Sequence, residues 1–458
     1  MLIEQLESLF ARAFFGAFSR RESRQRAAKH ALSLLLTHGR RMISRVICTS
    51  GERDRDWSAE YRLFSRSPWK TADTFDPVIE EWLARVPEGP VVIALDDTAL
   101  PRTGARVFGV RWLRDALSPP FHLNLMLGLR MLHAALLFPH YREGFDVGAR
   151  SVPVRFQLAP CVKKPGKKAR AEDRAAYANA IKMDNLSIRT VEMTAELRER
   201  LDRHGAGRRP LLAVGDGGFC NRTVFRTEQP GVAWLCRTRK DARLCFRAEY
   251  GSRRFYSEHV FTPEQVRADH AVDWQLATVF YGGCRREIRY KEVRDVLWRN
   301  GAARRRLRLF VLAPQPYRTT RTGKTLYRQP AYLLCTDHDL HADSLLQAYL
   351  DRWQIEVNHR EIKDIFGAGN AQVRNENSVA RHPAFAVAAY SLLLIAGMQT
   401  FGPAWNSAYF KLPKWREPPA RPSAYDLLAL LRGEVLDNAK NSERYATLAD
   451  NLARHAYG

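Results

Sequence analysis

Paired cysteines are missing from this chain. Seven cysteines are scattered over 458 residues, and no two stand in a Cys-x-x-Cys spacing. That excludes a disulfide framework and a structural zinc site, and it predicts free thiols in a reducing cytosol. Long apolar runs are missing too. The longest, Ala384 to Met398, falls short of the roughly 20 residues a bilayer needs and reads as a buried helix. The opening MLIEQLESLF has an early Glu and no basic-then-apolar pattern, so it does not read as an export signal. Internal repeats and low-complexity tracts are absent. Gly323-Lys324-Thr325 suggests a phosphate-binding loop, but Arg318 stands where that motif requires Gly, and the motif is excluded.

Acidic residues are in short supply: 49 Asp and Glu against 73 Lys and Arg, a net charge of +24. So large an excess predicts a polyanionic partner. Nucleic acid fits better than a membrane, because no polybasic amphipathic anchor stands out. Hydrophobic residues make up 45% and charged residues 27%, the balance of a globular chain rather than a disordered one. The length suffices for about two to four domains.

Residues 1–88 read as mostly helical. Arg20, Arg21, Arg24, Arg26 and Lys29 cluster in SRRESRQRAAKHALSLLL, with Arg40 and Arg41 beyond. Such a helix can lie along phosphates, or it can be the solvated face of a scaffold. VVIALDDT then reads as a buried strand, Val91 to Leu95, ending in Asp96 and Asp97. Further strands are expected at Arg106–Trp112 and around Leu127–Leu137. A basic loop is expected over Pro153–Arg170, and a charged helical stretch over Ala171–His204. Arg209-Pro210 opens a second buried strand, LLAVGDGGF, with Asp216 between glycines at its end. Residues 231–236 read as another core strand.

From 239 to 335 short β-branched and aromatic runs alternate with turn signals, which predicts a β-rich insertion. It carries Arg304, Arg305, Arg306, Arg308, Arg318, Arg321 and Lys324. Within it Trp298 and Trp274 either stack on bases or fill a β core. Asp337, His338, Asp339, His341 and Asp343 resemble a metal site, but their close spacing reads better as a polar loop, with Asp343 as a helix cap. The region 403–458 is Pro-interrupted and then helical from about Ser423.

The segment YLDRWQIEVNHREIK, Tyr349 to Lys363, reads as one amphipathic helix. At 100° per residue, Tyr349, Arg352, Glu356 and Lys363 share an arc of roughly 60°. Leu346, Leu350, Trp353 and Val357 form an apolar seam beside it. Arg352 and Glu356 could simply be a solvated i,i+4 pair. Two upstream acids that each end an apolar run favour more. Two-metal phosphoryl transfer needs carboxylates converging on a pair of Mg²⁺ ions. Asp96 or Asp97, Asp216 and Glu356 supply that set, at spacings of about 120 and 140 residues that only a fold can bring together. Arg352 and Lys363 would grip phosphates, and Tyr349 would bond a phosphate or stack.

These four residues reproduce the Y-(2)-R-(3)-E-(6)-K signature, and the chain resembles the DDE transposases of bacterial insertion sequences. LDDT and VGDGGF resemble the two Asp motifs of that family, and CRTRKDARL the segment after its next strand. The likeness covers roughly residues 90–400. It implies an α/β, RNase H-like mixed-sheet core over 89–238 and 336–402, interrupted by the β-rich insertion and flanked by helical regions. It also implies cleavage and strand transfer of double-stranded DNA at transposon ends with two Mg²⁺ per site, Mn²⁺ substituting. A homodimeric or larger synaptic complex follows, as does a bacterial cytoplasmic location, nucleoid-associated when DNA is bound. The family's first motif is commonly Asp-any-Thr, which favours Asp96, followed by Thr98; Asp97 is the second choice. A binding-only relative and a nuclease without strand transfer are the alternatives.

Overall fold

The computed structural model describes residues 1–115, 118–119, 121–142, 147–320, 322–440 and 442–455. Arg321 of the basic insertion lies outside the described residues. The chain opens with five helices, α1 (Leu2–Ala17), α2 (Arg21–Leu36), α3 (Ile43–Thr49), α4 (Ser58–Ser65) and α5 (Asp76–Arg85). Strands β1 (Val91–Pro101), β2 (Arg111–Arg114), β3 (Leu125–Phe138) and β4 (Arg150–Leu158) follow. Helices α6 (Ala171–Met183) and α7 (Leu186–Arg203) lead to β5 (Leu211–Gly215), α8 (Arg222–Arg226) and β6 (Val232–Arg237). The β-rich stretch holds β7 (Leu244–Arg247), β8 (Tyr256–Phe261), α9 (Pro263–Ala268), β9 (Gln275–Tyr281) and β10 (Cys284–Leu297). It continues through α10 (Arg299–Ala302), β11 (Arg306–Leu312), β12 (Pro316–Tyr317), β13 (Leu326–Tyr327) and β14 (Ala331–Cys335). The last helices are α11 (Ala342–Asp351), α12 (Gln354–Arg360), α13 (Glu376–Phe401), α14 (Ala424–Asn438) and α15 (Glu443–His455). This is a mixed α/β fold of RNase H-like type, with helices at both termini.

The chain divides into two compact units. The first holds Met1–Pro87, Asp97–Lys182 and Gln354–Gly458; the second holds Glu88–Asp96 and Met183–Trp353. The division cuts across the linear regions, because β1 changes unit between Asp96 and Asp97.

In the first unit α13 is the central helix. By length and composition it could cross a membrane, yet 89% of its apolar window is buried. It is longer than the 384–398 run suggests, because Pro383 and the buried polar residues Ser378 and His382 extend it on the N-terminal side. Phe385 stacks on Phe14 of α1 with ring centroids 5.4 Å apart. Ser391 donates to the Pro153 carbonyl of β4 at 2.9 Å. β3 pairs antiparallel with β2 and with β4, and the β3–β4 register slips where Pro153, which has no N–H to give, faces Ala135. The strand expected at 106–112 is confined to Arg111–Arg114, because turns occupy 105–109, with Gly109 at φ +73°. The expected basic loop starts later than Pro153, since β4 runs to Leu158.

In the second unit β1, β5 and β6 run parallel, and β14, β11, β10, β7 and β8 continue the sheet antiparallel, with β9 on β10. The strands of the expected insertion are thus part of this sheet. Leu212, Val214, Leu235 and Leu333 share one face with Leu345 and Leu346 of α11 in a single core cluster. Strands buried in this way need near-continuous apolar runs, which is why VVIAL and LLAVG read so plainly.

The segment read as one helix is interrupted. α11 ends at Asp351, Arg352 and Trp353 form a turn, and α12 gives way to a π-helical turn at Glu361–Ile365. The 100° register therefore does not run from Tyr349 to Lys363. The apolar seam differs as well: Leu346 is buried, but Trp353 is 55% exposed. Asp343 is not the cap of α11; His341 holds that position, and Asp343 sits in the first turn.

Candidate active site

The site in the second unit follows from strand register. β1 and β5 pair one for one from Val91↔Leu211 to Ala94↔Val214. The ladder ends there; Asp96 lies two residues further along β1, and Asp216 immediately follows β5. β5 and β6 pair as far as Gly215↔Cys236, so the next step sets Asp216 opposite Arg237. Side chains alternate along a strand and match across a ladder. Asp96 therefore shares the face of Val92, Leu212 and Val214, the face that α11 covers. Arg352 at the end of α11 brings Nη1 to 3.6 Å from Asp96 Oδ2, and both side chains are largely buried. Asp97 points to the opposite face. Within the first unit its carboxylate lies 3.2 Å from Arg130 Nε.

Asp216 is held by the turn that follows β5. Its Oδ1 accepts the Gly218 N–H at 2.8 Å, and Asn221 caps α8 just beyond. Gly215 has to lack a side chain, because a Cβ there would lie 2.9 Å from Phe219, which folds back over it.

Asp216, Tyr349 and Arg352 open onto a cleft of about 880 Å³, which Arg237, Arg239, Lys240 and Arg267 also line. Arg239 and Lys240 of the CRTRKDARL segment both belong to it. Arg239 makes two bonds to Asp241, at 2.8 and 2.6 Å. Arg267 bonds Glu264, and the Tyr332 hydroxyl donates to the same carboxylate. These bonds, Arg267 first, draw the Glu264 carboxyl down to about 2. Burial, then Glu264, pushes the Tyr332 phenol up to about 12. The Tyr349 phenol is also raised, chiefly by burial, against the pull of Arg237, Arg352 and Arg328. The arrangement offers two carboxylates just past the β1–β5 parallel ladder, near a cleft whose cations suit phosphate oxygens. Arg237, Glu264 and Tyr332 were not legible as site residues. Only the β6 register, one residue after Cys236, would have pointed to Arg237.

Glu356 and Lys363 belong to the first unit, Glu356 on α12 and Lys363 in the π-helical turn, both half-buried. α12 is anchored through Asn358, which accepts from the Ser151 hydroxyl at 2.6 Å and donates to the Ser151 carbonyl at 3.0 Å and the Tyr390 hydroxyl at 2.9 Å. Tyr390 in turn donates to Glu361. Among the described residues no group of three or more His, Cys, Asp or Glu side chains stands together as a metal site. The paired carboxylates Asp96 and Asp216 are hard oxygen donors, the chemistry that Mg²⁺ takes. The donor set fits, as a pair.

The remaining candidates have local partners. Trp298 is half-buried and lines a smaller cavity with Cys220 and Arg239. Its ring meets Phe225 edge-on at 5.8 Å and covers Gly301, where a Cβ would sit 2.0 Å from it. Lys291 lies 4.9 Å from the ring centre of Trp274. In the His/Asp-rich loop Asp337 accepts the N–H groups of Asp339 and Leu340, and His338 lies 3.1 Å from the Arg306 carbonyl, so this is a hydrogen-bonded turn. Arg20 and Arg21 are exposed. Arg24 is engaged: it donates to the carbonyls of Phe18 and Ser19 and lies 4.2 Å over the Phe15 ring. Arg41 is buried on the Leu34 carbonyl.

β1 does not end at Leu95 as expected but continues through Asp96 and Asp97 to Pro101. A mixed sheet with one carboxylate where β1 runs past its parallel ladder and another just after β5 defines the class: an RNase H-like enzyme core. The family model for the DDE superfamily endonucleases matches residues 13–305, more than half of the chain. The chain belongs to that family, a family of DNA-acting enzymes. The matched residues include Asp96, Asp97, Asp216 and Trp298 and stop short of Tyr349, Arg352, Glu356 and Lys363. No curated protein matches the chain significantly.

Proposed function

We propose that the protein is the transposase of a bacterial insertion sequence, cutting DNA at the ends of its element and joining them to a target. The observation that carries this reading is that Arg352 lies 3.6 Å from Asp96 on β1 and lines one cleft with Asp216, which follows the neighbouring parallel strand β5. The Tyr-Arg-Glu-Lys spacing that includes Arg352 adds the insertion-sequence branch. Asp96, Asp216 and Glu356 would hold Mg²⁺ or Mn²⁺, with Asp97 as the alternative to Asp96. When bound, two such ions activate the attacking hydroxyl and stabilise the leaving oxygen.

The chain's own groups have the other roles. Arg352, 3.6 Å from Asp96 at the edge of the cleft, is a cation for a phosphate of the bound strand. Arg237 and Lys240 hold the strand through its backbone, without regard to sequence. Tyr349, a protonated phenol at neutral pH whose pKa burial raises further, donates to a phosphate oxygen. Lys363 contributes a further cation, and Trp298 a flat surface for a base. Exposed Arg20 and Arg21 bind DNA outside the site. The protein works as a homodimer or larger assembly on paired ends, in the bacterial cytoplasm.

The test is incubation of purified protein with supercoiled DNA carrying the sequences that flank its reading frame, with Mg²⁺ or EDTA, beside Glu356→Gln. Cleavage at the ends that needs both metal and Glu356, with joined products, is the expected result. Cutting without joining makes the protein a nuclease. Tight binding without cutting under any divalent metal makes it a DNA-binding relative only.

A further inference from the structure

In the first unit β2 and the start of β3 form an edge ribbon of the sheet, and β1 lies on the other side of β3. Trp112 stands opposite Leu127 and Arg114 opposite Leu125. One more bond, from the Asp115 N–H to the Asn124 carbonyl at 2.9 Å, prolongs the ribbon. Residues facing each other across a ladder lie on one side of it, so Trp112, Arg114 and Leu125 share a face. The other face carries Leu113, which is buried. The first face is open: Trp112 is 68% and Leu125 56% exposed. Past the ladder, Phe121 and Leu123 are exposed at 91% and 62%. Single exposed apolar side chains are ordinary, but four within residues 112–125 form a surface in want of a partner.

The charge around this surface selects the partner. Residues 102–127 contain four arginines and one acid, Asp115. Arg106 and Arg114 are exposed. β2 is the outer strand of its ladder, and an outer strand can pair with a second copy of the chain. Arginines on it oppose that, because a copy would bring like charges together. A polyanion with an apolar interior has neither problem. Double-stranded DNA is such a partner.

We propose that the β2–β3 ribbon is a DNA-docking surface, with Trp112, Phe121 and Leu125 against bases and sugars and Arg106 and Arg114 on the flanking phosphates. Apolar side chains that enter a groove can part base steps and bend the duplex, so the contact couples binding to DNA shape. The inference rests on the chain's action on DNA, not on strand transfer.

The test uses the full-length protein with p-benzoylphenylalanine in place of Phe121, irradiated with a labelled DNA duplex. A light-dependent protein–DNA adduct that unlabelled duplex competes away is expected. A protein–protein adduct formed without DNA, or no adduct, overturns the proposal. Beside it, Trp112→Ser with Leu125→Ser should weaken duplex binding about tenfold. The melting temperature should not change, because both side chains are exposed. Unchanged affinity also overturns the proposal. If the adduct forms while no DNA is cut, the ribbon stands and the transposase reading falls. If ends are cut and joined without any adduct, the reverse holds.

Discussion

Around α2 the cations close the structure; in the cleft of the second unit they line an open space. Arg24 ties two carbonyls at the α1–α2 turn, Arg26 and Lys29 meet Glu60 and Glu52, and Arg41 is buried on a carbonyl. Arg237, Lys240 and Arg352 instead face a cleft of about 880 Å³ beside Asp216. Both stretches look alike as clusters of basic residues. The difference teaches that a cation's role depends on what its end reaches, not on how many neighbours share its sign.

The largest effect should come from the acids. Asp216→Asn should lower DNA cleavage at least about a thousandfold, a barrier increase of about 4 kcal/mol, with duplex binding within about twofold. Asp97→Asn, which removes the partner of Arg130 on the other face, should cost less than about tenfold. A nicking assay on both variants checks the contrast, and equal loss would move the first carboxylate to Asp97.

Next comes pH, which acts on the first unit. His382 is fully buried, and burial, then His30 and Arg102, draws its pKa down to about 3. The folded state therefore prefers the neutral ring. The stability this confers is complete above about 6.5, the ordinary histidine value, and is lost as pH falls from there towards 3. Each pH unit within that window costs up to about 1.4 kcal/mol. His382→Phe should flatten thermal stability between pH 6.5 and 5; an unchanged slope would show that His382 is not the group responsible.

The smallest effects sharpen the comparison most. Arg352→Ala should reduce the salt slope of DNA binding by about 0.9, one phosphate contact. Arg24→Ala should leave that slope alone and lower stability by about 1 kcal/mol for its carbonyl bonds. Denaturant titrations and binding at several salt concentrations separate the two. A slope change in Arg24→Ala would add Arg24 to the DNA-contacting surface of Arg20 and Arg21.

Much of the fold was legible because its core strands are buried on both faces. Five apolar residues before Asp96 and four before Asp216 need no partner to be read as strands. The Glu-bearing helix was legible in place but not in form. Periodicity assumes a continuous 3.6-residue turn, and the turn at Arg352–Trp353 and the π-helical bonds at Glu361–Ile365 break that assumption without any Pro or Gly to announce it.

By itself the sequence determined the core strands, the acids that follow their apolar runs, the surplus of positive charge and the β-rich stretch, because these depend on local composition and on distances of a few residues. Tertiary structure alone decided which of two adjacent acids shares a face with Asp216, since that depends on register against a strand about 120 residues away. It also decided which arginines line a cleft and which close a turn. A guanidinium on a flexible stem takes whichever acceptor the fold brings within reach, and nothing local to the arginine specifies that acceptor.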